Sequence, residues 1–194
     1  MTRRSACSAL LLAACLGCLR PSPQEVLHAL QPMQQEGAAP QHGGIALEVL
    51  PVRLPELLQH PQMVMLERSG ALGLSETQRW ANPLDQDMQR VLVANLGQLL
   101  GSDAVVPSPY GERVAAAYRL EVAVQSCSAQ PGGGLVLEAV WMLTRPGITQ
   151  AVLLRRTVLR EALADPGPDT LAAAHSRILE ALSREIAAAV LKLP

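Results

Sequence analysis

The residues best placed to do chemistry lie at the start of the chain, where Leu12-Ala13-Ala14 runs directly into Cys15. Small side chains just before a cysteine suit a signal peptidase that cuts ahead of a lipid-modified thiol. The Cys15 sulfur would form a thioether to a diacylglyceryl group, and the amine freed by the cut would take a third acyl chain. Arg3 and Arg4 supply a positive n-region, and residues 5–14 an apolar segment. That segment falls short of the roughly 20 residues a bilayer span requires. Each buried methylene adds ~0.8 kcal/mol, so several acyl chains anchor stably where one would be marginal. An ordinary secretory signal with a coincidental cysteine is the competing reading, and it fits these residues less well. Cys18, preceded by Gly17, is a second candidate; Leu12 at the third position before the cut favours Cys15.

No other constellation carries a catalytic signature. His28, His42, His60 and His175 are scattered, and none has a Cys, His or acidic neighbour at metal-ligand spacing. His175 reads as a surface or half-buried side chain. Gly132-Gly133-Gly134 falls between two strand-like runs, where glycine serves a turn and not a phosphate loop. Asp85 and Asp87 are two apart on an expected helix, so they do not face one another. They read as a solvated first turn that complements the helix dipole. Cys127 lies in an expected strand as a small buried thiol. A disulfide from it to Cys18 is permitted in an oxidising compartment but is not favoured. On the residues alone, the catalytic site is none, the metal site is none, and the only cofactor expected is the covalent lipid on Cys15.

Composition limits the partners. The chain has 194 residues and a formal charge of -1. Loss of residues 1–14 would remove Arg3 and Arg4 and no acid, leaving 14 basic against 17 acidic side chains, or -3. A mildly acidic body has no electrostatic footprint for nucleic acid or anionic headgroups. With no Phe and only two Trp and two Tyr, the core must be aliphatic.

The elements that must hold such a body together follow from periodicity. Residues 15–24 read as a Pro- and Ser-containing tether that extends at most ~30 Å. A short strand is expected at 26–30, a loop at 31–44, and buried strands at 45–52 and 62–67. Leu84, Met88, Val91, Leu92, Leu96 and Leu99 recur at helical spacing, which predicts a helix over 84–100 ended by Gly101. Asn95 falls inside that stripe and needs a partner if buried. After a brief strand at 104–107, three alternating runs at 118–126, 135–143 and 150–159 predict an antiparallel meander. A closing helix over 170–193 follows, with Asp169 as its expected N-cap. The fold class is α/β: one domain with a mixed sheet, covered by helices 84–100 and 170–193. The strand at 45–52, the helix and the strand at 104–107 suit a parallel crossover. The domains are then 1–14 signal, 15–24 lipidated tether and 25–194 body.

Several local patterns, taken in order, resemble the PqiC-type family, the auxiliary lipoproteins of ABC-type and MCE-protein transport systems in Gram-negative envelopes. They are Val26-Leu27-His28-Ala29-Leu30, Leu50 to Leu58 (LPVRLPELL), Gln62-Met63-Val64, Arg79-Trp80-Ala81-Asn82-Pro83-Leu84, Asn95-Leu96 and Tyr118 to Val122. The first strand lacks the family's usual tyrosine. The resemblance implies a three-layer, non-enzymatic domain, anchored by its lipid to the periplasmic face of the outer membrane. Its partners would be an MCE-domain transport protein and that protein's integral membrane partner, with a homo-oligomer also open. Leu16, in place of the Asp that often marks inner-membrane retention, agrees with the outer membrane. Arg79 and Trp80 match the family's most distinctive local pattern. Trp80 reads either as a core plug beside the helix start, the favoured reading, or as a partner contact. The alternative function is a free-standing lipoprotein that binds a hydrophobic ligand in its own cavity.

Overall fold

Three alternating runs in the second half of the chain pair as an antiparallel meander, and the other elements are arranged around it. The computed structural model describes residues 24–34, 44–131 and 134–193. The signal, Cys15, Cys18 and His42 lie outside these described residues. The strands are β1 (Val26–His28), β2 (Leu47–Val49), β3 (Gln62–Leu66), β4 (Leu72–Trp80), β5 (Val105–Pro107), β6 (Tyr118–Gln130), β7 (Gly134–Thr144) and β8 (Ala151–Ala162). Among the described residues, two long helices, α1 (Leu84–Leu100) and α2 (Pro168–Val190), and 3-10 turns at Glu56–Gln59 and Tyr110–Val114 complete the order.

The strands form two sheets. The larger has the order β5-β2-β6-β7-β8 and the smaller β1-β4-β3. β2 runs parallel to both β5 and β6, as a crossover through α1 requires, and β6, β7 and β8 alternate in direction. This is the mixed α/β class the sequence implies. The meander strands run longer than the pattern predicts. In β6 the register shifts between Val124 and Ser126. One extra residue there rephases the pleat, so that Cys127 and Ala129 point inward after Tyr118, Leu120, Val122 and Val124.

Those residues and Leu135, Leu137, Ala139, Trp141 and Leu143 of β7 make one wall of the core. α2 packs on β7 and β8, and α1 packs against α2 and the short parallel strands. The α2 stripe of Leu171, Ala174, Ile178, Leu182, Ile186 and Val190 is buried. Trp141 Nε1–H donates to Thr157 Oγ1 (3.0 Å), which donates to Glu185 Oε1 of α2 (2.7 Å). The indole therefore lies in the core with its one polar atom satisfied. The opposite face of β8 stays open: Val152, Val158 and Leu154 are exposed, Leu154 by 61%.

α1 spans the residues its periodicity predicts. Gly101 closes it in the left-handed region (φ 56°), and the Ser102 N–H donates to the Gly97 carbonyl at 3.0 Å. The start of α2 corrects an expectation. Its N-cap is Gly167 and Pro168 occupies the first helical position, so Asp169 lies inside the first turn. The turn before it is built by Asp165, which accepts from the Thr170 hydroxyl and the Gly167 N–H, both at 2.7 Å. Those two bonds, the Thr170 hydroxyl first, lower the pKa of the Asp165 carboxyl.

Candidate functional site

The first described residues are the part of the body nearest the tether, and they are held in an unusual way. β1 pairs in parallel with β4, placing His28 beside Trp80. Beyond it, residues 30–33 leave the sheet and run across the two helices outside any strand or helix. Their backbone groups bond to side chains, not to another strand. The Leu30 N–H donates to Asp87 Oδ2 at 2.8 Å, and Arg90 Nη2 donates to the Leu30 carbonyl. The Gln31 N–H donates to Ser176 Oγ at 3.0 Å, and the Met33 N–H to Asn95 Oδ1 at 2.8 Å. Gln98 Nε2 reaches the Met33 carbonyl at 3.4 Å.

Apart from Ser176, this clasp is built from α1: Asp87, Arg90 and Gln98 fall at i, i+3 and i+11 beside the apolar stripe, and Asn95, at i+8, within it. Asp87 is 2% exposed and accepts from Arg90 Nε at 2.9 Å, so the reading of Asp85 and Asp87 as a solvated pair is corrected for Asp87. A buried carboxylate needs such a partner set, whereas Asp85 remains at the surface boundary. Asn95 is fully buried, and its Nδ2 donates to Ser183 Oγ of α2 at 3.2 Å. Ser183 in turn donates to the Leu179 carbonyl (2.7 Å), so the amide has partners on both sides.

The β1 end is fixed separately. His28 is buried, with Nε2 facing Gln78 Oε1 at 2.7 Å and Nδ1 3.4 Å from the exposed Asp169 carboxylate. Arg79 is half-buried; its Nε lies 2.8 Å from Glu25 Oε1, at an angle too poor for a hydrogen bond. Trp80 is 6% exposed, and its ring meets that of His175 edge-on, with centroids 5.2 Å apart. The expected pair Arg79–Trp80 is thus split between a surface ion pair and the core. His175 is fully enclosed, not half-buried as expected. Burial lowers its pKa to about 4, partly offset by the Nδ1–H bond to the Leu171 carbonyl (2.8 Å). Desolvation penalises the imidazolium, so the ring is neutral at physiological pH.

Two of the molecule's recesses bear on the site. An apolar cleft of about 310 Å³ opens between the end of β3, the end of β6 and the start of α2, lined by Met65, Leu66, Ala129, Leu163, Pro166 and Leu171. A polar recess of about 260 Å³ contains the buried Glu48. There Arg119 Nε donates to Glu48 Oε2 at 2.6 Å, and the Gly111 N–H to Oε1 at 3.3 Å. Both carboxylate oxygens are engaged within the fold, which marks a structural ion pair and not a free acid. Among the described residues, no three His, Cys, Asp or Glu side chains are placed to hold a metal ion. Cys127 is buried and free, its thiol pushed up to about 12 by burial. Among the same residues, no helix is long and apolar enough to cross a membrane.

The described residues thus form a body of two sheets and two helices whose segment 30–33 is clasped by side chains of both helices. The sequence profile of the ABC-type transport auxiliary lipoprotein component family matches residues 27–187, and the chain belongs to that family. It is similar in fold to the crystal structure of an uncharacterized protein, at 24% identity and TM-score 0.69, over 86% of this chain and 99% of that one. A second similar structure is protein XCC0632 from Xanthomonas campestris, at 15% identity and TM-score 0.69, over 86% of this chain and 94% of that one. No curated protein matches the chain.

Proposed function

We propose that this chain is a non-catalytic adaptor of an MCE/ABC-type intermembrane lipid-transport system, lipidated at Cys15 and facing the periplasm from the outer membrane. Its partners would be an MCE-domain transport protein and that protein's integral membrane partner. Family membership is the observation that carries the reading, since the matched profile spans residues 27–187. A pull on the tether would load β1 first, and behind it the clasp would pass the load through Asp87, Asn95 and Ser176 to both core helices. Family membership supports the transport role, and the open face of β8 offers apolar surface to a partner.

The competing carrier reading is less well supported. Ligand pockets run roughly 300–1,000 Å³, and the apolar cleft, at about 310 Å³, lies at the foot of that range. It has room for part of one chain, not for a whole diacyl lipid. Cross-linking the lipidated protein in its host, then mild-detergent pull-down and mass spectrometry, tests the proposal. Recovery of an MCE-domain protein is expected. A bait that carries bound lipid and no transporter subunit would shift the assignment to an independent lipid binder.

A further inference from the structure

The apolar cleft lies at the end of the molecule toward which the N-terminal end of β1 points. β1 is parallel to β4 with Val26 beside Gln78, so the chain before Val26 heads toward Leu72, the start of β4. Leu72 pairs with Leu66, and Leu66 lines the cleft. Val26 stands six residues along β4 from that level and, through β4, two strand spacings from β3. At ~3.3 Å per residue and ~4.8 Å per strand, the cleft is roughly 22 Å away. Cys15 precedes Val26 by eleven residues, which extend to as much as ~36 Å. The reach is sufficient without a taut chain, and Cys18 would also suffice at roughly 26 Å. Beyond Gln78 and the exposed Glu76, the stretch of β4 next to the cleft is apolar: Leu72 and Leu74 are both about 40% exposed on the face they share with Leu66 and Val64.

The lining selects among apolar occupants. No lysine or arginine lines the cleft, and the charged group at its mouth is Asp165. That carboxylate is held ionised by its bonds to Thr170 and Gly167. A phospholipid seated there would bring its phosphate near a like charge, with no cation to offset it. The lipid on an N-terminal cysteine carries no phosphate, since its chains are joined through a thioether, esters and an amide.

We infer that the cleft lined by Met65, Leu66, Leu163 and Leu171 receives one acyl chain of the protein's own lipid anchor. This rests on the proposed lipidation. One chain withdrawn into the body leaves two in the bilayer, and it draws the cleft end of the molecule down to the membrane surface. The meander's open face then stands to the side, clear of the headgroups.

The test uses the full chain in its host, grown on a fatty acid carrying a diazirine and an alkyne. After irradiation, peptides are separated and identified by mass. The expected product joins the N-terminal lipopeptide to a peptide containing Met65–Leu66 or Leu163–Leu171, and it should be lost in Ala164→Trp, which fills the cleft from an exposed wall. Leu154→Trp, on the far face of β8, should keep it, and both variants should unfold at the parent's temperature. A cleft peptide joined to a phospholipid would show a membrane lipid as occupant and overturn the inference. So would a labelled N-terminal peptide cross-linked only to bilayer lipids. An N-terminal peptide without fatty acid would remove the lipidation reading itself, and this inference with it.

Discussion

Asn95 of α1 and Ser183 of α2 are 88 positions apart in the chain and bonded at 3.2 Å in the core. The same amide accepts the Met33 N–H at 2.8 Å, so one buried side chain ties both helices to the leading segment. Replacing Asn95 by Leu leaves the Met33 N–H without a partner, while Ser183 keeps its bond to Leu179. The expected loss is roughly 1–3 kcal/mol, since an unpaired buried donor costs its full desolvation. Ser183→Ala should cost a similar amount, because it strands the buried Asn95 Nδ2 while Oδ1 retains Met33. Urea denaturation of both single variants and the double variant measures the coupling; strict additivity would show that the network does not act as a unit.

Asp85 and Asp87 should behave oppositely although they neighbour each other in sequence. Asp87→Ala strands the buried Leu30 N–H, while the half-exposed Arg90 keeps the Leu30 carbonyl, and roughly 1–3 kcal/mol of destabilisation is expected. Asp85→Ala should stay within about 0.5 kcal/mol, as surface changes usually do. Thermal unfolding of the two variants checks this. Equal shifts would place Asp87 at the surface after all.

The contrast shows where the sequence was readable. The apolar stripes of α1 and α2 and the alternation of β6 and β7 identify themselves, because burial of a face imposes a period on the residues. In the smaller sheet, the pattern predicts strands where β1 and β3 lie, but not the central strand β4. β4 reads Leu-Gly-Leu-Ser-Glu-Thr-Gln-Arg-Trp, with its two leucines partly exposed and only Trp80 buried, so no periodic apolar face announces a strand. The clasp was half visible: Asn95 stood out as a polar side chain in an apolar stripe. Its partners Met33 and Ser183 come from distant segments, and only folding brings them together. Asp87 looked solvated because its spacing from Asp85 says nothing of the strap that covers it.

Protonation of His175 should destabilise the fold in acid. Its folded pKa, lowered to about 4 by burial, lies below the ordinary value of 6.5. Between these values the unfolded chain binds a proton that the native protein does not, so stability is full above 6.5 and falls as pH drops toward 4. The total from this group is roughly 3 kcal/mol, at 1.36 kcal/mol per unit. The difference between parent and His175→Gln, followed by denaturant midpoints from pH 8 to 4, isolates that slope. A pH-independent difference would mean that the ring is solvated.

The Cys127 thiol should be silent toward alkylating reagents in the native state. It is buried, and its pKa near 12 leaves almost no thiolate at pH 8. Labelling of a version that begins at Gln24, in which Cys127 is the sole cysteine, should proceed only as fast as the chain opens. Added urea should raise the rate in step with the unfolded fraction. Rapid labelling in buffer would show that β6 frays beyond its bulge.

Gly111 and Glu48 offer the sharpest steric test. A Cβ placed at 111 would stand 2.5 Å from the Glu48 carboxyl carbon and 2.8 Å from its Cβ, too close without displacement. Glu48 cannot swing away cheaply, because Arg119 and the Gly111 N–H hold its two oxygens. Gly111→Ala should therefore cost roughly 1–3 kcal/mol, the usual price of overpacking. The cost should shrink when Glu48 is also truncated to alanine, since the clash is removed with the side chain. Equilibrium unfolding of the two single variants and the double variant gives the comparison. If Gly111→Ala were equally costly with and without the Glu48 side chain, the glycine would be required for its backbone conformation and not to admit the buried carboxylate.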